Sequence, residues 1–425
     1  MIVVVKVCCL SPNHNILDHG SMADFSSNTA LALLSSASSS SMDPTVEHGL
    51  LPYPKVRMRC FNLCLPFDAG DLAIVTGKYY FLVQGPTVER KPELLEALLD
   101  ASIPGLDVDV IKFRLQVRSV IHLDESPDDM ADFLLALHYG MYVTRVYSWW
   151  SLAWFSWFYR SICGYDASDF CRISAVLRLA TKYSEHWLRD HVISGLSHTW
   201  PATLTQWDDR EIRVNPINQG IVPFNLPHPM LVLFHFHFTA RSLTLVPLAR
   251  QVANLAQEVG APRLLLSALY DLSRNTPSHI ASGMRSDLDP SIHHTISQED
   301  LFRTLRGREI ASRFLSTFIV KELEGRRPSH NCTRPQHCRM AFECVMFDLL
   351  RDVNGLLCNR NSDVLFAIAE CASMLATEGS RMDGRFFVCR WCHVEFCDVV
   401  QRARAEVWAS LPTWFNVEVD EWGRA

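Results

Sequence analysis

The chain has 425 residues, 48% of them hydrophobic and 20% charged. That balance can bury a real core, and the length predicts two or three domains rather than a small stapled scaffold. A formal net charge of −6 without a basic stripe argues against nucleic acid as a partner.

Residues 1–55 read as a disordered tail. Its "LLSSASSSSMDP" is Ser-rich low complexity that cannot bury enough surface to order itself. The opening "MIVVVKVCCLSPNH" lacks a basic n-region and is interrupted by Lys6, so it does not read as a signal peptide. Met22 and Met42 are both plausible alternative starts.

Order is predicted from Asp71. "DLAIVTGKYYFLVQ" reads as two strands joined at Gly77-Lys78, with Ala73 and Val75, then Tyr79, Phe81 and Val83, alternating. "KPELLEALLD" places Leu94, Leu95 and Leu98 on one helical face. Val120, Ile121 and Leu123 mark another strand. A helix start follows, with Ser126 as cap, Pro127 in the first turn and Asp129 three residues after the cap. Met130, Phe133, Leu134 and Leu137 then recur at helical spacing, as do Ile173, Val176, Leu177 and Ala180, and a further helix is predicted near 187–198.

Two stretches break the pattern. Residues 145–160 carry aromatics on every face, and the fourteen residues between Arg145 and Arg160 fall short of the roughly 20 that a membrane span needs. Residues 213–246 read as an atypical insertion: the part from 215 to 248 has five prolines and no acidic residue, a poor span despite its length. Both compositions resemble translated intron as much as evolved protein, and no membrane partner is expected. From residue 247 to 415 the pattern is helical, with Val252, Leu255, Ala256 and Val259 ahead of a Gly260 stop, a Ser297 cap, and amphipathic stretches near 335–353, 362–377 and 393–409.

No nucleophile elbow, phosphate loop, dinucleotide fingerprint, zincin motif or EF-hand loop is present. His235 and His237 lie two apart on a possible strand and read as incidental. The fourteen cysteines are spread through a large chain, which suits reduced thiols and a cytoplasmic or nuclear location. Cys332 and Cys338 are spaced C-x5-C, and Cys389 and Cys392 are spaced C-x-x-C, with His393 next and Cys397 beyond. Two such pairs can supply four thiolates to a structural zinc ion; packed thiols are the other reading. "CRWCH" also spells a haem attachment site, but no targeting segment accompanies it. A thioredoxin-like redox role needs a strand leading into a helix, and the surroundings of Cys389 read as helical.

Taken together, "FDAGDLAIVTGKYYFLVQ", "VERKPELLEALLD", "VIHLDESPDDMADFLLALHYGMYV" and "ISAVLRLATKYSEHWLRDHVISGL" resemble the successive pieces of a BTB/POZ domain. "WPATLTQWDDRE", "VANLAQEVGAPRLLLSALYDLSR" and "DLFRTLRGREIASRFLSTFI" are similar to the helical half of BTB proteins from mushroom-forming fungi, and the later cysteine pairs look like part of that tail. The resemblance implies an α+β chain: a BTB/POZ domain over 66–200, built as a small mixed sheet flanked by helical hairpins and carrying the 145–160 insertion, then an all-α C-terminal domain over 247–415. It implies a non-enzymatic protein-interaction module with protein partners, self-association as a homodimer, or service as a cullin-type ubiquitin-ligase substrate adaptor. No cofactor is expected beyond the zinc. One departure stands out: where the family has a His after the second strand this chain has Gln84, which puts the partner of Asp71 in question.

Overall fold

The computed structural model describes residues 50–53, 70–104, 108–143, 167–218, 246–282, 284–285, 293–351, 363–377 and 386–423. The stretches 145–160 and 219–245, the His235/His237 pair, Met22 and Met42 lie outside the described residues.

Alternating apolar residues make the first sheet. Strand β2 (Leu72–Thr76) pairs antiparallel with β3 (Tyr79–Val83) across Gly77, whose φ of +55° is a conformation that glycine adopts without a Cβ penalty. Short helices α1 (Gly85–Glu89), α2 (Pro92–Asp100) and α3 (Val108–Leu115) then carry the chain to β4 (Ser119–Leu123), which pairs parallel with β2. All five residues of β2 are buried, as expected of a central strand covered on both faces. Leu94 and Leu98 seal α2 onto this sheet, with Leu95 half-buried against the core.

The outer edge of β3 corrects one expectation. Residues before 55 were expected to be unstructured throughout, yet β1 (Leu51–Pro52) pairs parallel with β3. Tyr53 stacks on Phe81 at 4.8 Å and donates its hydroxyl to Asp128 at 2.5 Å. A two-residue strand has no periodicity to read, so the sequence carried no sign of it.

Helix α4 (Pro127–Val143) begins at Ser126, whose carbonyl accepts from the Met130 N–H at 3.0 Å. Met130, Phe133, Leu134 and Leu137 are all buried, as are Ile173, Val176, Leu177 and Ala180 on α5 (Ala167–Lys182), which packs against α4. Helix α6 (His186–Leu196) folds back on α5. Helix α7 (Leu204–Asn218) runs six residues into the stretch read as an insertion.

Helix α8 (Val246–Glu258) packs on α9 (Pro262–Ser273) and also on α5, so one apolar core continues from the sheet into the helical part. Gly260 stops α8 with φ +63°. After α10 (Pro277–Ala281), Ser297 caps α11 (Gln298–Glu322), accepting from the Asp300 N–H at 3.0 Å. Helices α12 (Pro335–Arg351), α13 (Val364–Ser373) and α14 (Arg390–Phe415) follow, with α11 and α13 both resting on α14.

The chain is therefore mixed helix and sheet, in line with the α+β expectation. The C-terminal part is not purely helical, however. Strands β5 (Met284–Arg285) and β6 (His293–His294) pair antiparallel, and β7 (Leu375–Thr377) and β8 (Phe386–Val388) pair parallel. Runs of two and three residues are too short for an alternation signal.

Candidate metal centre

Four cysteines from two distant segments meet at the foot of α14. Cys332 lies in the loop after α11, where its N–H donates to the Ser329 carbonyl at 3.0 Å. Cys338 sits in the first turn of α12, fully buried, its N–H bonded to the Arg334 carbonyl. Cys389 follows β8 and occupies the cap position of α14, and Cys392 is buried one turn on. C-x-x-C across a helix start turns both sulfurs to the same side, because the cap residue and the first-turn residue three positions later face one another.

The four Sγ atoms all lie within 4.8 Å of one another. Cys389 Sγ is 3.6 Å from Cys332 Sγ. The backbone crosses between the pairs: the Cys389 N–H donates to Cys338 Sγ and the Ser329 N–H to Cys392 Sγ, each at 3.3 Å. Such bonds stabilise negative charge on sulfur. Below the cluster Phe342 and Phe396 pack at 5.2 Å, and the Arg326 guanidinium lies over both rings at 5.3 and 5.0 Å. The Ser329 hydroxyl donates to Glu395 at 2.7 Å, tying the loop to α14.

Electrostatics divides the thiols. Burial alone would raise Cys389, but the Cys392 and Thr333 N–H groups and the neighbouring thiols of Cys332 and Cys392 bring it down to about 6. Burial pushes Cys338 up to about 11, helped by the thiols of Cys332 and Cys389 and opposed by the Cys389 N–H. Cys392 is likewise pushed up by burial, against the Ser329 N–H. One sulfur thus holds a negative charge that its neighbours resist sharing, a field that a divalent cation would relieve.

The donor chemistry fits zinc. Four thiolates at about 2.3 Å around a tetrahedral ion stand roughly 3.8 Å apart, and these sulfurs need only small shifts to reach that. The arrangement brings together all four residues that sequence spacing singled out. His393, the last letter of "CRWCH", stays outside: its Nδ1 is 3.7 Å from Cys397 Sγ. The Ser329 and Cys389 backbone donors had no sequence signal, since any residue supplies an N–H. The reading of the Cys389 surroundings as helical is corrected, because β8 leads directly into α14 at this cysteine.

A second polar concentration lies in the helical part. Buried Arg210 pairs with Asp271 at 2.6 Å, and Arg274 reaches Glu211, Asp271 and Asp363 at 2.9, 2.9 and 2.8 Å. The Tyr270 hydroxyl donates to Asp363, which also caps α13 by accepting the Phe366 N–H. Burial disfavours the Arg274 charge, but Asp363, Glu211 and Asp271 overcome that and hold it protonated. These ion pairs and hydrogen bonds lie inside the core, which makes this a structural lock between α7, α9 and α13.

No family model, curated protein or solved structure matches the chain.

Proposed function

We propose that the chain is a non-catalytic protein-interaction protein of the BTB/POZ kind, acting through self-association, with a helical tail held by structural zinc. The interaction reading is supported by the order of elements: a β2–β3 hairpin, paired short helices, a third strand parallel to the first, then the α4–α5–α6 helices. This is the order that the resemblance in the sequence implies. Exposed apolar side chains add to it. Phe113 is 87% exposed on α3 and Leu99 is 52% exposed on α2, and both helices pack against the edge strand β4. Apolar side chains left in water beside a sheet edge are the usual raw material of a protein contact. Sedimentation of the full chain over a concentration series tests this. A dimer that Phe113→Glu and Leu99→Glu dissociate, with thermal stability retained, is the expected result. A monomer at every concentration counts against self-association.

The zinc reading is carried by the convergence of Cys332, Cys338, Cys389 and Cys392. Such an ion would join the loop after α11 to the start of α14, where it contributes to folding rather than to chemistry. The expected result is stoichiometric zinc that survives dialysis and is lost in Cys389→Ser and Cys392→Ser. A metal-free chain after expression and refolding in zinc refutes it.

A further inference from the structure

The geometry points to Cys389 as a site of oxidation by hydroperoxides, with Cys332 as the thiol that resolves it into a disulfide. Two observations carry this. The first is proximity: the two sulfurs stand 3.6 Å apart, against about 2.05 Å in a disulfide, so a modest side-chain rotation closes the bond. The second is access. Cys332 and Cys389 are half-buried, whereas Cys338 and Cys392 are 0% and 2% exposed. Of the four, only Cys389 borders a surface hollow of about 470 Å³, whose rim includes Thr333, Arg334, Arg390 and Trp391. A small peroxide entering that hollow meets Cys389 first.

Exposure also selects the partner. Cys338 and Cys392 are buried, so Cys389 is placed to pair across the cluster with the half-buried Cys332 rather than along its own helix with Cys392. Its setting also differs from that of an ordinary helical cysteine: a strand leads into it and a 26-residue helix begins at it.

The step balances without further reactants. The Cys389 thiolate attacks the peroxide, the O–O bond breaks, and the alcohol leaves with a proton, giving a sulfenic acid. Cys332 then attacks that sulfur; the S–S bond forms and the S–O bond breaks, releasing water. Two thiols and one hydroperoxide become one disulfide, one alcohol and one water. If the cluster holds zinc, loss of two ligands frees the ion, and Cys338 and Cys392 take up protons as it departs. That release rests on the zinc reading; the choice of Cys389 and Cys332 does not.

The test treats the full chain, zinc-loaded and chelator-stripped, with stoichiometric hydrogen peroxide. Remaining thiols are then alkylated and linked peptides are mapped by mass spectrometry. A Cys332–Cys389 link with Cys338 and Cys392 alkylated is expected in both samples, with stoichiometric zinc loss from the first. Cys332→Ser should leave Cys389 as a sulfenic acid that dimedone captures. A Cys389–Cys392 link, or cluster thiols that all survive, overturns the inference. A chain that takes up no zinc but forms the Cys332–Cys389 link refutes the zinc reading alone.

Discussion

At the residue scale, close approach dominates. Gly307 lies buried in α11 where that helix crosses α14, and a methyl there would stand 2.5 Å from Phe415 Cε1. Gly→Ala inside a helix ordinarily gains about 1 kcal/mol, but overpacking costs roughly 1–3 kcal/mol. Gly307→Ala should therefore lower the thermal midpoint, and Gly307→Ala with Phe415→Leu should recover part of the loss; a midpoint raised by the single change would show that the helices can separate freely. Asp71 is the other instructive residue. With Gln84 in place of the expected His, its carboxylate instead accepts the Gly85 N–H at 2.5 Å and pairs with Arg118 at 2.9 Å. That N–H bond, and then Arg118, outweigh burial and lower its pKa. A carboxyl lowered on folding stabilises above its unfolded pKa of about 4 and loses that contribution as pH falls through the folded value. Asp71→Asn should be less stable than the parent at pH 7, with the gap closing on acidification in urea melts; a constant gap would assign the effect to packing. The partner of Asp71 could not be read from the sequence because one donor is a backbone N–H and the other, Arg118, is 47 positions away.

At the element scale, the long periodic helices and the five-residue strands β2, β3 and β4 were legible, and the strands of two or three residues were not. The buried faces of α4, α5 and α8 match the 3.6-residue spacing read from Met130, Ile173 and Val252. Strand β8 has three residues, one of them the exposed Phe387, so nothing announced that Cys389 follows a strand. The four cysteines were nameable from their spacing, but their meeting depends on α12 and β8 packing side by side. The Arg274 network was invisible for a similar reason: its carboxylates come from α7, α9 and the cap of α13. Arg274→Ala should cost about 3–5 kcal/mol, because it leaves buried carboxylates unpaired. Arg274→Lys should rescue little, since one ammonium cannot serve three carboxylates in a planar fork. Chemical denaturation reads both, and full rescue by Lys would reduce the lock to simple charge balance.

At the scale of the whole molecule, the core is continuous but the cysteine cluster is local. It ties the loop after α11, α12, β8 and α14, and none of these touches β2 or β4 in the main packing pattern. Chelation should therefore speed hydrogen exchange first around 329–338 and 386–396, while β2 and β4 stay protected. Uniform loss of protection would mean that the cluster governs the entire fold. The outer side of β3 depends on something smaller. Residues 51–53 cover the free side of β3 through two backbone bonds, Leu51 N–H to Lys78 and Tyr53 N–H to Tyr80, while the Tyr53 ring shields Phe81. A recombinant version trimmed to begin at Asp71, the point where regular patterning starts, would strip away this rail and bare the Lys78 and Tyr80 carbonyls next to an aromatic. Such a trimmed product should clump during purification, whereas one begun at Met42 should stay dispersed.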